Sequence, residues 1–384
     1  MNEIYEKLLK LKQDSGSHSP SIATIKREIP QLEIKIDACF LSNPYATNLF
    51  MDYLQRDLLD STQSLREVLE FYPSQNAIIA KKLANTLNIN HKNIFIANGA
   101  IEAIQAILHN FVRGKIIVNI PSFSSYYEFV KPDTQVVFYN LSKENDYRIC
   151  PKNYIDFIKK TQPQSIVLIN PNNPNGDYLS FDAMSEILQN CSFVENIIID
   201  ESFLHFAFES ADFTPISYAP LFARFPNVIL VKSMSKDFGI AGIRTGYAIM
   251  AESKVATLLK NGYLWNVSGL SEYFFSLYER LDFREKYEAI RRLYIQETQS
   301  FFTQLRQIKT LKVYPSKANF ALLELNGLTS SDFVNEMLLK YGIYTRTCKD
   351  KIGLDGEFIR LSSRSKAENG EILSAIKDLL EGRE

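Results

Sequence analysis

Short, nearly continuous runs of apolar residues alternate along the chain with longer stretches in which apolar positions recur every three or four residues. The short runs fall at 93–97, 115–119, 135–139, 165–170, 196–200, 227–231 and 246–250, and their richness in β-branched residues predicts strands. Several are apolar on both faces, which suits a sheet covered by helices on either side. Between them, residues 101–111 carry apolar positions at helical spacing. An α/β domain over 50–265 is therefore expected. Beyond it the pattern changes to a long helical stretch at 270–306, strands at 319–325, 343–346 and 358–362, and a closing helix over 367–381. Ser365 and Glu368 supply a capping box for that last helix. These features predict a smaller α+β domain over 266–384, with residues 1–49 as an N-terminal arm that joins it.

Composition narrows the class. At 384 residues the chain exceeds what one compact core usually holds, so two domains sharing a site are expected. Lys plus Arg number 43 against 44 Asp plus Glu, without a basic block, which argues against nucleic acid or a membrane surface as partner. The first residues, Met1 to Lys7, lack the apolar core of a signal peptide, and no stretch approaches the ~20 apolar residues of a membrane span. A cytoplasmic location follows as the expectation. Cys39, Cys150, Cys191 and Cys348 form no CxxC pair, which suits a reducing compartment and predicts no metal site.

Ligands of open α/β sheets gather beyond the carboxyl ends of the strands, so the turns there carry the chemistry. Asp200 ends the run 196–200, and Lys236, in Ser233-Met234-Ser235-Lys236-Asp237-Phe238-Gly239, follows the run 227–231. An amine and a carboxylate so placed are what an enzyme needs to hold pyridoxal phosphate, the amine for a Schiff base and the carboxylate for the pyridinium nitrogen. Taken singly, a lysine is ordinarily a solvated charge and a strand-end aspartate a cap or ion-pair partner. Other turns add to the pair. Asn98-Gly99-Ala100-Ile101 opens a helix, whose free N–H groups can receive a phosphate. Phe123, after Pro121-Ser122, can cover a flat ring or pack in the core. Asn170-Pro171-Asn172-Asn173-Pro174-Asn175-Gly176 makes a rigid turn in which Asn173 can donate to a ring oxygen. No G-x-G-x-x-G follows the first strand, which removes support for a dinucleotide.

In combination these motifs resemble the fold type I pyridoxal-phosphate enzymes of the class I/II aminotransferase superfamily. Within them the chain is similar to the group holding histidinol-phosphate aminotransferase and threonine-phosphate or phosphoserine decarboxylase, over residues 42–381. The resemblance implies an α/β fold with a mostly parallel seven-stranded sheet. It implies Lys236 as the Schiff-base lysine, Asp200 as the pyridinium partner, Asn173 as donor to the phenolic oxygen and Phe123 as the stacking aromatic. Gly99, Ala100, Ile101, Ser233, Ser235 and Arg244 fall where the family grips the cofactor phosphate, and Phe203 beside the ring. Tyr72 matches a tyrosine that reaches this phosphate from a neighbouring subunit, so a homodimer is implied. Arg360 matches the arginine that pairs with the substrate carboxylate, for which guanidinium has the bidentate geometry. Asn43, Arg346, Arg364 and His18 are implied at the substrate.

Of two reactions open on these residues, decarboxylation of an O-phospho-amino acid to an amino-alcohol phosphate is the expected one, with a histidinol-phosphate-type aminotransferase as the alternative. Loss of hydrogen from the substrate's α carbon leads to transamination, and loss of carboxylate makes a decarboxylase. Phe203 stands where aminotransferases of the group usually have tyrosine, and the stretch 346–364, Trp265-Asn266-Val267-Ser268 and His18 also resemble the decarboxylases. Against them, Ser235-Lys236-Asp237-Phe238-Gly239-Ile240-Ala241-Gly242 is the aminotransferase style of lysine loop. Arg346, Arg364 and His18 add positive charge beyond one carboxylate and one cofactor phosphate, so a phosphorylated substrate is expected, phosphoserine or phosphothreonine. His91, His109 and His205 show no partner pattern and read as structural. A non-catalytic descendant of the fold is the contrasting class, disfavoured by the joint presence of Lys236, Asp200 and Arg360.

Overall fold

A computed structural model describes residues 2–16 and 19–381, so His18 lies outside the described residues. The strands, in chain order, are β1 (Ile36–Asp37), β2 (Ile94–Ala97), β3 (Lys115–Ile120), β4 (Gln135–Asn140), β5 (Ser165–Ile169), β6 (Asn196–Asp200), β7 (Val228–Ser233), β8 (Gly246–Ile249), β9 (Leu311–Val313), β10 (Phe320–Leu325), β11 (Ile343–Tyr344), β12 (Arg346–Thr347) and β13 (Phe358–Ser362). Among the described residues, seven of them form one sheet in the order β2-β8-β7-β6-β5-β3-β4. Only β8 runs antiparallel to its neighbours, so the mostly parallel sheet is as expected.

Why these segments form buried strands is visible in their alternation. Ile197 and Ile199 of β6 enter one core cluster and Ile198 the other, and Leu230 and Ile229 of β7 divide in the same way. Each fully buried aliphatic side chain contributes on the order of 1.5–3 kcal/mol, so apolar residues on both faces commit such a strand to the middle of a covered sheet. Helix Ala100–Phe111 buries Ala103, Ile104, Ile107 and Leu108 against one face.

A four-stranded sheet, β12-β13-β10-β9, lies in the C-terminal part and packs Leu323, Ile359 and Leu361 against Phe333, Ile372 and Ile376 of two helices. The closing helix Lys366–Glu381 begins with the expected reciprocal cap, Ser365 N–H to Glu368 and Glu368 N–H to Ser365 Oγ. Helix Asn2–Asp14 docks Leu8 beside Ile25, Leu338 and Tyr344.

Two expectations need correction. The helical stretch 270–306 is two helices, Gly269–Glu279 and Leu281–Leu305, broken at Arg280, whose φ of −73° and ψ of 131° are extended. Arg280 there binds Asp57 and Asp282, a tertiary arrangement that helical periodicity does not reveal. The strand expected at 343–346 is split: β11 pairs in parallel with β1, while β12 turns to pair with β13. The short edge strand β9 was not expected from the sequence. No described helix is long and apolar enough to cross a membrane.

Candidate active site

Because β8 alone is reversed, the carboxyl ends of β2, β3, β5, β6 and β7 emerge on one edge of the sheet. A cavity of about 330 Å³ opens there. Its wall includes Ala100, Ile101, Phe123, Asn173, Asp200, Phe203, Ser233, Ser235, Lys236, Arg244, Arg346 and Arg360, twelve of the residues expected from the sequence.

Lys236 follows β7 in a turn that the chain around Asn43 clasps. Asn43 N–H donates to the Lys236 carbonyl at 3.0 Å, and a Cβ on Gly239 would stand 2.4 Å from the Asn43 carbonyl. Gly239, at φ +63°, is thus required both by its conformation and by the close approach. Burial, then the charges of Arg360 and Arg244, pull the Lys236 amine down to about 8. Asp200 is buried, and Tyr126 Oη donates to one of its oxygens at 2.9 Å while Ser202 N–H donates to the other at 2.9 Å. Burial raises the Asp200 pKa, and the bonds from Ser202 and Tyr126 oppose that rise. Both carboxylate oxygens are therefore fixed in orientation. Tyr126 and Ser202 were not singled out from the sequence; Tyr126, in an aromatic-rich helix start, carries no signal separating it from core.

The asparagine-rich turn divides its labour. Asn170 exchanges two hydrogen bonds with Leu179, and Asn172 binds Ser122 and the Pro121 carbonyl, tying the turns after β5 and β3 together. Asn173 instead lines the cavity, and its oxygen accepts from Arg360 Nη1 at 2.9 Å, which leaves its amide nitrogen as a donor. Arg360 also donates to the Cys39 carbonyl at 2.9 Å, and its Nε is buried with no partner. Directly across the β12–β13 ladder stands Arg346, whose Nη2 binds Asp350 at 2.8 Å. Two like charges opposite one another on adjacent strands are destabilising unless an anion shares them.

Gly99, at φ +77°, begins helix Ala100–Phe111, and a Cβ there would fall 2.5 Å from Arg244 Nη2. Arg244 itself is left-handed at φ +62°, which aims its guanidinium across that helix start. Ser235 Oγ is buried beside it without a partner. A helix N-terminus, a guanidinium and an unused hydroxyl form a cradle for a phosphate. Flat-ring, phosphate, amine and carboxylate requirements are met at one cavity, so the residues fit pyridoxal phosphate.

Other expected residues lie elsewhere. Tyr72 is 87% exposed, outside the cavity wall, with its ring 6.1 Å from that of Trp265. Arg364 donates to the Ser42 carbonyl at 2.9 Å and faces Glu368 at 3.8 Å, outside the cavity wall. Asn43 caps helix Pro44–Leu54 through its side-chain oxygen, and its amide nitrogen is buried without a partner. Behind the cavity, Lys232 and Asp237 form a buried ion pair, and His205 Nδ1 lies 3.2 Å from Asp237.

The family model for aminotransferase class I and II matches residues 46–376. The chain is 60% identical to the L-serine phosphate decarboxylase of Campylobacter jejuni, over 98% of this chain and 96% of that one. It is 48% identical to the L-serine phosphate decarboxylase of Sulfurospirillum multivorans, over 96% and 94% respectively. The solved structure of a decarboxylase from Sulfurospirillum multivorans superposes with a TM-score of 0.94 at 47% identity, covering 99% of this chain and 97% of the other. The chain belongs to the aminotransferase class I and II family, and its cofactor is pyridoxal phosphate.

Proposed function

We propose that this protein is a pyridoxal-phosphate-dependent decarboxylase of O-phospho-L-serine, releasing carbon dioxide and O-phosphoethanolamine. The observation that carries the reading is the 60% identity to an L-serine phosphate decarboxylase across nearly the whole of both chains. The facing Arg346 and Arg360 support it, since a substrate with a carboxylate and a phosphate supplies two anions to that pair.

Bound in the cavity, pyridoxal phosphate supplies the sink for the electron pair left on the substrate's α carbon when carbon dioxide departs. Asp200, pinned by Tyr126 and Ser202, would hold a proton on the ring nitrogen. Arg360, which lines the cavity, would fix the substrate carboxylate and so select which bond to the α carbon breaks. Lys236 returns a proton to that carbon, and an amine held at about 8 exchanges protons near neutral pH more readily than an ordinary lysine. Phe203, 5% exposed and packed edge-on to Phe320, lines the wall without offering a proton. Gly99, Ala100, Ile101, Ser233, Ser235 and Arg244 would hold the cofactor phosphate, Phe123 would cover the ring, and Asn173 would donate to it.

The working unit in this reading is a homodimer. Leu69, Phe71, Tyr72, Leu264 and Trp265 are all more than half exposed, and so many large apolar groups in one region suit a partner surface. Tyr72 would then reach the neighbour's cofactor. The division into an arm (1–49), a large domain (50–265) and a small domain (266–384) is part of the same proposal.

Purified holoenzyme given phosphoserine, phosphothreonine or histidinol phosphate, with and without 2-oxoglutarate, tests the reaction by product mass. O-phosphoethanolamine should form from phosphoserine at the same rate in both conditions. Product that retains the carboxylate and requires 2-oxoglutarate would establish transamination instead. A second expectation concerns pH. Only the neutral amine of Lys236 can take up the cofactor, and its proton leaves as pH rises through about 8. Capture of pyridoxal phosphate by the cofactor-free protein, followed by visible absorbance, should therefore accelerate with a midpoint near 8, well below that of an ordinary lysine.

A further inference from the structure

A second cleft adjoins the cavity and shares Ser19 and Arg346 with it. Its far wall is helix Asn2–Asp14, which contributes Leu8 and Lys12. Leu8 is anchored beside Leu338 and Tyr344, and Lys12, one helical turn later, lies on the same face. Lys12 and Arg346 line the same cleft, and Lys12 is partly buried there. Burial lowers the Lys12 pKa, Arg346 lowers it further, and Asp350 opposes both. Lys351 approaches the same carboxylate, with Nζ 3.1 Å from Asp350, while Arg346 binds it at 2.8 Å. Lys12, Arg346 and Lys351 thus gather around Asp350, with Arg360 facing Arg346 across the ladder.

A lysine in the last turn of a helix ordinarily offsets the helix dipole from water. That role does not require a half-desolvated ammonium beside an arginine. We propose that Lys12 completes, with Arg346 and Ser19, the subsite for the substrate phosphate, which makes the N-terminal helix a specificity element of the active site. The assignment deepens the phosphoserine reading and rests on it. A phosphate monoester brings nearly two negative charges at neutral pH, and charge-assisted bonds from an ammonium suit it.

The test uses holoenzyme of the wild type and of Lys12→Met, which keeps an apolar stem in the cleft. Inorganic phosphate and L-alanine are titrated separately by calorimetry, and the KM for phosphoserine is measured in parallel. Lys12→Met should weaken inorganic phosphate at least tenfold and raise the phosphoserine KM by a similar factor, with kcat and L-alanine binding changed less than twofold. Lys12→Arg should recover most of the phosphate affinity. Unchanged phosphate binding, or an equal loss toward L-alanine, would overturn the assignment. If the wild type fails to decarboxylate phosphoserine yet Lys12→Met still loses phosphate selectively, the subsite stands and the proposed reaction falls.

Discussion

Replacing Lys236 with alanine is expected to lower phosphoserine decarboxylation by about 10⁴-fold or more, because one side chain both anchors the cofactor and moves the proton at the α carbon. The purified variant should also lose the visible absorption of the lysine-bound cofactor. Folding should survive. The amine is buried near two guanidinium groups, and its lowered pKa means that the folded chain disfavours its charge. In the cofactor-free protein the variant should melt no lower than the wild type at neutral pH, which separates loss of chemistry from loss of structure. Turnover within tenfold of wild type would remove Lys236 from the mechanism.

Asp200→Asn should be the next most damaging change. The substitution is nearly isosteric and can still accept from Ser202 N–H at the oxygen bonded at 2.9 Å in the wild type. It cannot carry the negative charge that holds a proton on the ring nitrogen, and where its amide replaces the other oxygen, the bond from Tyr126 must reverse. A fall in kcat of about 10²–10³-fold is expected, in the range for removing a preorganised electrostatic partner, with phosphoserine KM changed far less. Steady-state kinetics with saturating cofactor measures this split. A variant that keeps kcat and loses only cofactor affinity would reduce Asp200 to an anchoring role.

Much of the sheet could be read from the sequence because its strands are apolar on both faces, a pattern that few alternatives satisfy. The break at Arg280 could not, since it depends on Asp57, more than two hundred positions away in the chain. The division between β11 and β12 was equally hidden, because both halves of 343–347 are largely buried and only their partners differ. At the site, strand-end placement singled out Asp200, Lys236 and Asn173, and the structure brings all three to one cavity. Tyr126 and Lys12 act through tertiary approach. An interior tyrosine and an N-terminal lysine look like core and surface until the groups they face are known. Arg364 shows the converse: a charge expected at the substrate is occupied by the Ser42 carbonyl and Glu368.

The covalent site itself offers the most direct test. Borohydride converts the reversible lysine–cofactor linkage into a stable amine, after which digestion and mass spectrometry locate it. The pyridoxyl mass should fall on the peptide containing Lys236. Finding it on Lys232, which lies buried nearby in its pair with Asp237, or on no peptide of the chain, would contradict the assignment.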